Sequence, residues 1–369
     1  CTLRRADLAV VHPEVVALYY DYEVLAGLLE VLPPDSPRYH EVLAALTEAG
    51  RLLYKGLPDV AGQAREVLRP ALERRGGEPV LRFSAIGHAH LDLAWLWPLR
   101  EGVRKSVRTF ATALATIDRY GDYVFAASQP QHYQWIKDDN PELYERVRAG
   151  VAAGRIEPLG ALWVEADTNI SGGEALVRQL LYGKRFLRNE LDTDAVVAWL
   201  PDSFGFSGAL PQLLRGAGVT YFTTQKLSWS LVNRFPHHSF VWRGIDGTRV
   251  LTHMLPEDEY NSAVTPKAVR KAETNYRDKD VSHYGLIAYG LGDGGGGPGE
   301  QHLERLARLR DLQGLSPVRQ EAASAFYERW SAEADRFAEW VGELYLERHP
   351  GTLTTQARGQ RFNRLMELG

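Results

Sequence analysis

The segment Gly87-His88-Ala89-His90-Leu91-Asp92 places two imidazoles and a carboxylate at every second position, at the end of the strand-like stretch Val80 to Gly87. Alternate side chains of an extended chain share a side, so His88, His90 and Asp92 face one way. An imidazole and a carboxylate brought together at a strand end form the first half of a zinc site, with metal contacts expected at ~2.0–2.2 Å. The same residues also serve as plain hydrogen-bond partners. A second feature is Trp199-Leu200-Pro201-Asp202-Ser203-Phe204-Gly205-Phe206, in which Asp202 leaves a strand before a glycine-containing turn. There an aspartate acts either as a helix cap or as a nucleophile. The third is Asp293, followed by the four glycines Gly294 to Gly297 and Pro298, a loop with unusual backbone freedom that a ligand can approach closely. A phosphate cradle is the rival use of such a run, but no Lys-Ser or Lys-Thr follows it and the dinucleotide spacing is missing. Two carboxylates at separate strand ends suit glycoside hydrolysis, where one attacks the anomeric carbon and the other protonates the leaving oxygen. In a retaining enzyme the two stand about 5–5.5 Å apart.

The elements that must position these groups follow from periodicity. From His12 to about Arg75 apolar residues fall at helical spacing. Leu25, Leu28, Leu29 and Leu32 form one stripe, and Leu43, Leu46 and Leu53 another after Ser36 as cap and Pro37 in the first turn. This predicts a small all-helical N-terminal domain over residues 1–78. After the break at Gly76 to Pro79, strands alternate with helices. Strands are expected at Val80 to Gly87, Tyr123 to Ser128, Ile156 to Val164, Ala195 to Leu200, Tyr221 to Thr224, Arg249 to His253 and His283 to Tyr289. Such an α/β pattern opens its strand ends on one face, where the polar residues that follow the strands converge.

The totals exclude several classes. In 369 residues, 44% hydrophobic and 24% charged, the chain has the composition of a globular protein of about two domains. Its 43 basic and 47 acidic residues, a formal charge of -4, are interspersed and leave no footprint for nucleic acid or an anionic membrane. The single cysteine, Cys1, excludes an internal disulfide and a cysteine metal site, and fits a reducing, cytoplasmic compartment. No apolar run approaches the ~20 residues needed to span a bilayer, and the start has no secretory pattern. A start without Met and an end at Gly369 just after a helix-like segment read as those of a fragment.

GHAHLDLAWLWPLRE, WLPDSFGFSGALPQ, TQKLSW, FPHHSFVWRGIDG and YGLGDGGGGP resemble glycoside hydrolase family 38, and within it the cytosolic type of α-mannosidase. The resemblance implies a (β/α)7-type barrel over 79–356, with 357–369 the start of a truncated helical domain. It implies one Zn2+, or another divalent ion, in contact with the 2- and 3-hydroxyls of the mannose being cleaved. Position by position, His90 and Asp92 match metal ligands and His88 a neighbour. Asp202 matches the nucleophile, which also touches the metal, and Asp293 the general acid/base. Trp95 resembles the floor of the sugar subsite and Phe204 a second wall; Lys226, Tyr260 and Asn261 are expected near sugar hydroxyls. Glu165 and Asp167, in Trp163-Val164-Glu165-Ala166-Asp167-Thr168-Asn169, are expected to support the pocket from behind or to cap a helix. His237 and His238 are expected to be a structural pair beside the strand Phe240 to Arg243.

The match also runs short. The family's remaining zinc histidine lies in an Asn-Gln-Phe-His-Asp segment beyond the block matched here by Gly342 to Glu347, and neither His302 nor His349 sits in that context. His349 instead matches a Glu-x-His-Arg-Gly-Thr-Tyr-Thr segment, with Pro350 for Arg and Leu353 for Tyr. A site with three protein ligands is expected to hold its metal more weakly. Relatives carry further domains downstream, so apolar barrel surface is expected to be exposed or covered by a second copy of the chain in a homo-oligomer. The expected function is a retaining α-mannosidase acting on an oligosaccharide or mannoside. The alternatives are a metal-dependent amidohydrolase or deacetylase, which needs further strand-end histidines such as His253, and a non-catalytic sugar-binding module.

Overall fold

The computed structural model describes residues 8–349 and 357–368; Cys1, Pro350, Leu353 and Gly369 lie outside them. In chain order, helices α1 (Pro13–Leu29), α2 (Pro37–Leu53) and α3 (Ala61–Glu73) come first. Then follow β1 (Arg82–His88), α4 (Leu99–Arg119), β2 (Phe125–Ala127), α5 (Pro130–Asp139), α6 (Pro141–Ala152), β3 (Ile156–Pro158), α7 (Gly173–Leu191), β4 (Val197–Trp199) and α8 (Leu210–Gly216). The remainder is β5 (Tyr221–Thr224), β6 (Ser239–Arg243), β7 (Arg249–Met254), α9 (Pro266–Asn275), β8 (Tyr284–Tyr289), α10 (Glu300–Leu309), β9 (Val318–Gln320), α11 (Ala323–Ser331), β10 (Ala338–Val341) and α12 (Ala357–Leu368). Contacts group the chain into two compact units, Cys1–Val80 with Val264–Arg270 and Glu300–Val318, and Leu81–Ala263 with Lys271–Gly299 and Arg319–Gly369. Among the described residues no helix is long and apolar enough to cross a membrane.

In the first unit the cap expected at Ser36 is present, its hydroxyl accepting the Tyr39 N–H. Leu25 and Leu28 are fully buried as the α1 stripe requires. On α2 the buried line is Val42, Leu46 and Ala49, an i, i+4, i+7 series, and Leu43 is left exposed. One step of about 100° along a helix separates Val42 from Leu43, so of the stripe expected at Leu43, Leu46 and Leu53 only Leu46 is buried and Val42 takes the place of Leu43. The buried Asp21 carboxylate ties three helices, receiving Arg65 Nε from α3 at 2.8 Å and Arg308 Nε from α10 at 2.6 Å.

The second unit is α/β. Its strands form two ladders, β3-β2-β1-β8 with β9 also on β1, and β10-β6-β7-β5-β4. The pairings of β1 with β2 and β8, of β2 with β3, of β4 with β5, of β5 with β7 and of β6 with β10 are parallel, whereas β6 and β7 form an antiparallel hairpin closed by Gly244-Ile245-Asp246-Gly247-Thr248, where Asp246 accepts the Thr248 N–H and Gly247 takes a φ of 87°. Both ladders contribute to one core. Ile86 of β1, Ala126 of β2, Val197 and Trp199 of β4, Val241 of β6 and Leu286 of β8 close around Phe326, Tyr327 and Trp330 of α11. The third strand ends at Pro158, well before the expected Val164. Proline cannot donate to the ladder, and Gly160, at a φ of 69°, turns the chain at a place where a Cβ would strike the Ser128 carbonyl.

Candidate metal and carboxylate centre

His90 and Asp92 follow the end of β1, Asp202 follows β4 and Asp293 follows β8, so three strand ends deliver the site. One ligand atom from each of these four residues lies within 4.8 Å of the others. His90 is 3% exposed; its Nε2 stands 3.4 Å from Asp92 Oδ1 and 3.1 Å from Asp202 Oδ2, and its Nδ1 stands 3.0 Å from Glu165 Oε2. Neither ring nitrogen has an aligned hydrogen-bond partner among the described residues, although both are buried. Ligand atoms around one tetrahedral ion at ~2.0–2.2 Å sit roughly 3.3–3.6 Å apart. The spacing around Nε2 is therefore close to that of a shared cation, and the nitrogen–carboxylate donor set suits a divalent metal. The residues fit the group.

The charges are strongly coupled. Burial alone would depress the His90 pKa, but the Glu165 carboxylate, then Asp202 and Asp92, outweigh it and hold the imidazole well above its ordinary value. Burial likewise would raise Asp202, yet His90 and the Lys226 ammonium hold its carboxyl below the usual range. Lys226 is buried, with Nζ 2.6 Å from Asp202 Oδ1 and 3.3 Å from the centroid of the Trp229 ring. Residues 226 to 229 form a 3-10 turn, in which side chains at i and i+3 eclipse, and this puts the indole under the ammonium. His88 is turned away from the cluster. Its Nε2 donates to the Tyr260 carbonyl at 2.6 Å, and burial pushes its pKa down to about 4, leaving a neutral ring.

Asp293 has a φ of 53°, and its carbonyl accepts the Asp92 N–H at 3.0 Å, joining the loops after β1 and β8. The loop needs its glycines: a Cβ on Gly292 would strike the Asn261 amide, and Gly295 and Gly297 have φ values of 70° and 65°. Tyr260, expected near sugar hydroxyls, donates its own hydroxyl to Asp293 Oδ1 at 2.9 Å. Burial first, then Asp202 and Asp293, push that phenol up, so it stays a donor. Glu259 Oε1 accepts the N–H groups of Tyr260 and Asn261, fixing their turn.

These groups line a pocket of about 790 Å³. Trp95, 60% exposed, stands among its lining residues, as do Phe204, Asn261 and His349, the Phe204 and His349 rings 5.3 Å apart. Asp167 is there too, but its carboxylate accepts the N–H groups of Asn169 and Ile170 and so caps a turn. The structure does not bring the other histidines to the cluster. His237 and the His238 N–H bind Asp278, His253 lies in the core between Ser239 Oγ and the Leu286 N–H, and His302 is buried on α10 of the first unit. Sequence reasoning assigned no role to Trp229 or Gln129. The signal for Trp229 was an aromatic three residues after a lysine, and for Gln129 a polar pair directly after β2.

Residues 80–343 match the family model described as the Glycosyl hydrolases family 38 N-terminal domain. The chain is 40% identical over 365 residues to Alpha-mannosidase 2C1 of Homo sapiens, covering 99% of this chain and 35% of that protein. It is 34% identical over 387 residues to Alpha-mannosidase of Saccharomyces cerevisiae, covering 99% of this chain and 36% of that protein. The chain thus spans about a third of the length of these relatives. The fold resembles the crystal structure of an alpha-mannosidase from Enterococcus faecalis V583, with a TM-score of 0.58 at 18% identity over 72% of this chain and 31% of that one. With its site residues lying inside the matched segment, the chain belongs to glycoside hydrolase family 38.

Proposed function

We propose that the chain carries the catalytic centre of a retaining α-mannosidase that acts on terminal α-linked mannose. The observation that carries this reading is the meeting of His90, Asp92, Asp202 and Asp293 within 4.8 Å, in a family whose curated relatives are named α-mannosidases. An oxygen of Asp202 and one of Asp293 lie within 4.8 Å of each other, a spacing that accommodates the about 5–5.5 Å carboxyl separation of retaining pairs. In the same proposal the two ladders that share a core are parts of a (β/α)7-type barrel over 79–356, between a helical domain over 1–78 and the start of a further helical domain at 357–369. The compartment proposed is the cytoplasm.

Asp202 would attack the anomeric carbon with one oxygen while Lys226 holds the other, which fixes the carboxylate plane and keeps it ionised. Asp293, oriented by the Tyr260 hydroxyl, would give its proton to the leaving oxygen and later take one from water. Trp95 and Phe204 would supply apolar walls for the sugar, and Asn261 a polar contact to its hydroxyls. His90, Asp92 and Asp202 would hold a divalent ion, zinc in this proposal, which as a Lewis acid and template would bind sugar hydroxyls and lower the charge cost of the oxocarbenium-like transition state.

The test is hydrolysis of an aryl α-mannoside by the zinc-loaded chain and by a version extended to the length of its relatives, followed by NMR of the first-formed sugar. Release of the α-anomer, abolished by Asp202→Asn, is expected. Release of the β-anomer, or activity that survives Asp202→Asn, would overturn the reading.

A further inference from the structure

Glu165 has no part in the mechanism above, yet it is the acid that touches His90 on the side away from Asp92 and Asp202. Its side chain is 6% exposed, and Oε2 stands 3.0 Å from His90 Nδ1, within reach of a proton on that nitrogen although the two are not aligned as a hydrogen bond. The carboxylate is not adrift. Oε1 accepts the Ser128 hydroxyl at 2.9 Å, the Glu165 N–H donates to Gln129 Oε1 at 3.0 Å, and Gln129 Nε2 donates to the Leu91 carbonyl at 3.0 Å. Leu91 lies between His90 and Asp92, so Gln129, itself 3% exposed, fastens the backbone of the metal loop to the backbone of Glu165. Three segments, after β1, β2 and β3, are locked by two side chains.

A direct ligand role does not fit Glu165. The two nitrogens of an imidazole project in nearly opposite directions, and the carboxylates of Asp92 and Asp202 gather at Nε2, whereas Glu165 faces Nδ1. A ring carries one proton when it binds a metal, and a carboxylate at Nδ1 decides which nitrogen keeps it. We propose that Glu165 is a positioning residue that holds His90 as the Nδ1–H tautomer, aims Nε2 at the cation and strengthens it as a donor, with Ser128 and Gln129 as its brace. The inference rests on the metal-site reading of His90, Asp92 and Asp202.

The experiment titrates the chain with Zn2+ alone, in competition with a chromophoric chelator, and with Co2+ alone, read by its visible absorption. Four proteins are compared: the unaltered chain, His90→Ala, Glu165→Gln and Ser128→Ala, each checked by circular dichroism and urea unfolding. If the unaltered chain takes up no metal, or His90→Ala binds as well as it does, the metal-site reading fails first and the inference with it. If those two behave as expected, Glu165→Gln should bind Zn2+ about 10–100-fold more weakly and shift the Co2+ absorption, the cost typical of losing an outer partner of a ligand. Ser128→Ala, which keeps the charge and loosens only the brace, should weaken Zn2+ by a few-fold. Should Glu165→Gln fold poorly, Ser128→Ala alone decides. Unchanged Zn2+ affinity and an unchanged Co2+ spectrum in the folded variants, even with a lowered urea midpoint, would make Glu165 a structural acid and overturn the proposal.

Discussion

Lys226 Nζ lies 2.6 Å from Asp202 Oδ1 while Asp202 Oδ2 lies 3.1 Å from His90 Nε2, so the proposed nucleophile is held between an ammonium on one oxygen and the His90 imidazole on the other. Both neighbours favour the ionised carboxylate. Lys226→Met keeps most of the apolar stem over Trp229 and removes only the charge. We expect at least a 10-fold fall in kcat for an aryl α-mannoside. A loss of stability of about 2 kcal/mol should accompany it, less than the ~3–5 for breaking a fully buried pair because Asp202 is 17% exposed. Steady-state kinetics and urea unfolding check the two.

Asp293 occupies a φ of 53°, which asparagine tolerates, so Asp293→Asn tests the acid without disturbing the loop. The proposed role predicts a loss of about 10²–10⁴-fold on mannosides with poor leaving groups and a smaller loss on activated aryl mannosides. Equal losses across a leaving-group series would remove the acid role.

How much of this could be read beforehand depends on whether the cause is local. His90 and Asp92 were legible because two-residue alternation at a strand end fixes their side irrespective of the rest of the fold. Asp202 was ambiguous between cap and nucleophile, since only tertiary structure brings Lys226 and His90 to its two oxygens. Trp229 and Gln129 stayed without a role for the same reason: an aromatic platform and an amide clamp are defined by what they meet across the fold. The end of β3 lies before the expected one because Gly160 turns the chain where only a residue without a Cβ fits beside Ser128, which follows the neighbouring strand. On α2 the helical spacing holds and Leu46 is buried as expected, but Val42 faces the core in place of the exposed Leu43.

Glu257, 6% exposed, is pushed up to about 7 by burial, against an ordinary value of 4.5. A carboxyl whose folded value is raised adds stability that is complete below about 4.5 and lost as pH rises through about 7. Glu257→Gln, which mimics the protonated acid, should therefore be stabilised relative to the unaltered chain at pH 8 by about 2–3 kcal/mol and nearly unchanged at pH 4.5. Urea midpoints at the two pH values measure it.

In the first unit Asp21 bridges Arg65 and Arg308 from a buried position. Asp21→Asn leaves two guanidiniums facing a neutral amide. A loss of about 3 kcal/mol is expected, visible as an early transition in thermal unfolding. A change below about 0.5 kcal/mol would mean that the pair contributes as little as a surface bridge.

The most direct test is a crystal structure of the chain grown with Zn2+, with the ion located by its anomalous scattering. One zinc is expected at ~2.0–2.2 Å from His90 Nε2, an oxygen of Asp92 and an oxygen of Asp202, with Asp293 close enough to share one sugar ring. Zinc bound elsewhere, or held by His90 and Asp92 with Asp202 out of reach, would contradict it.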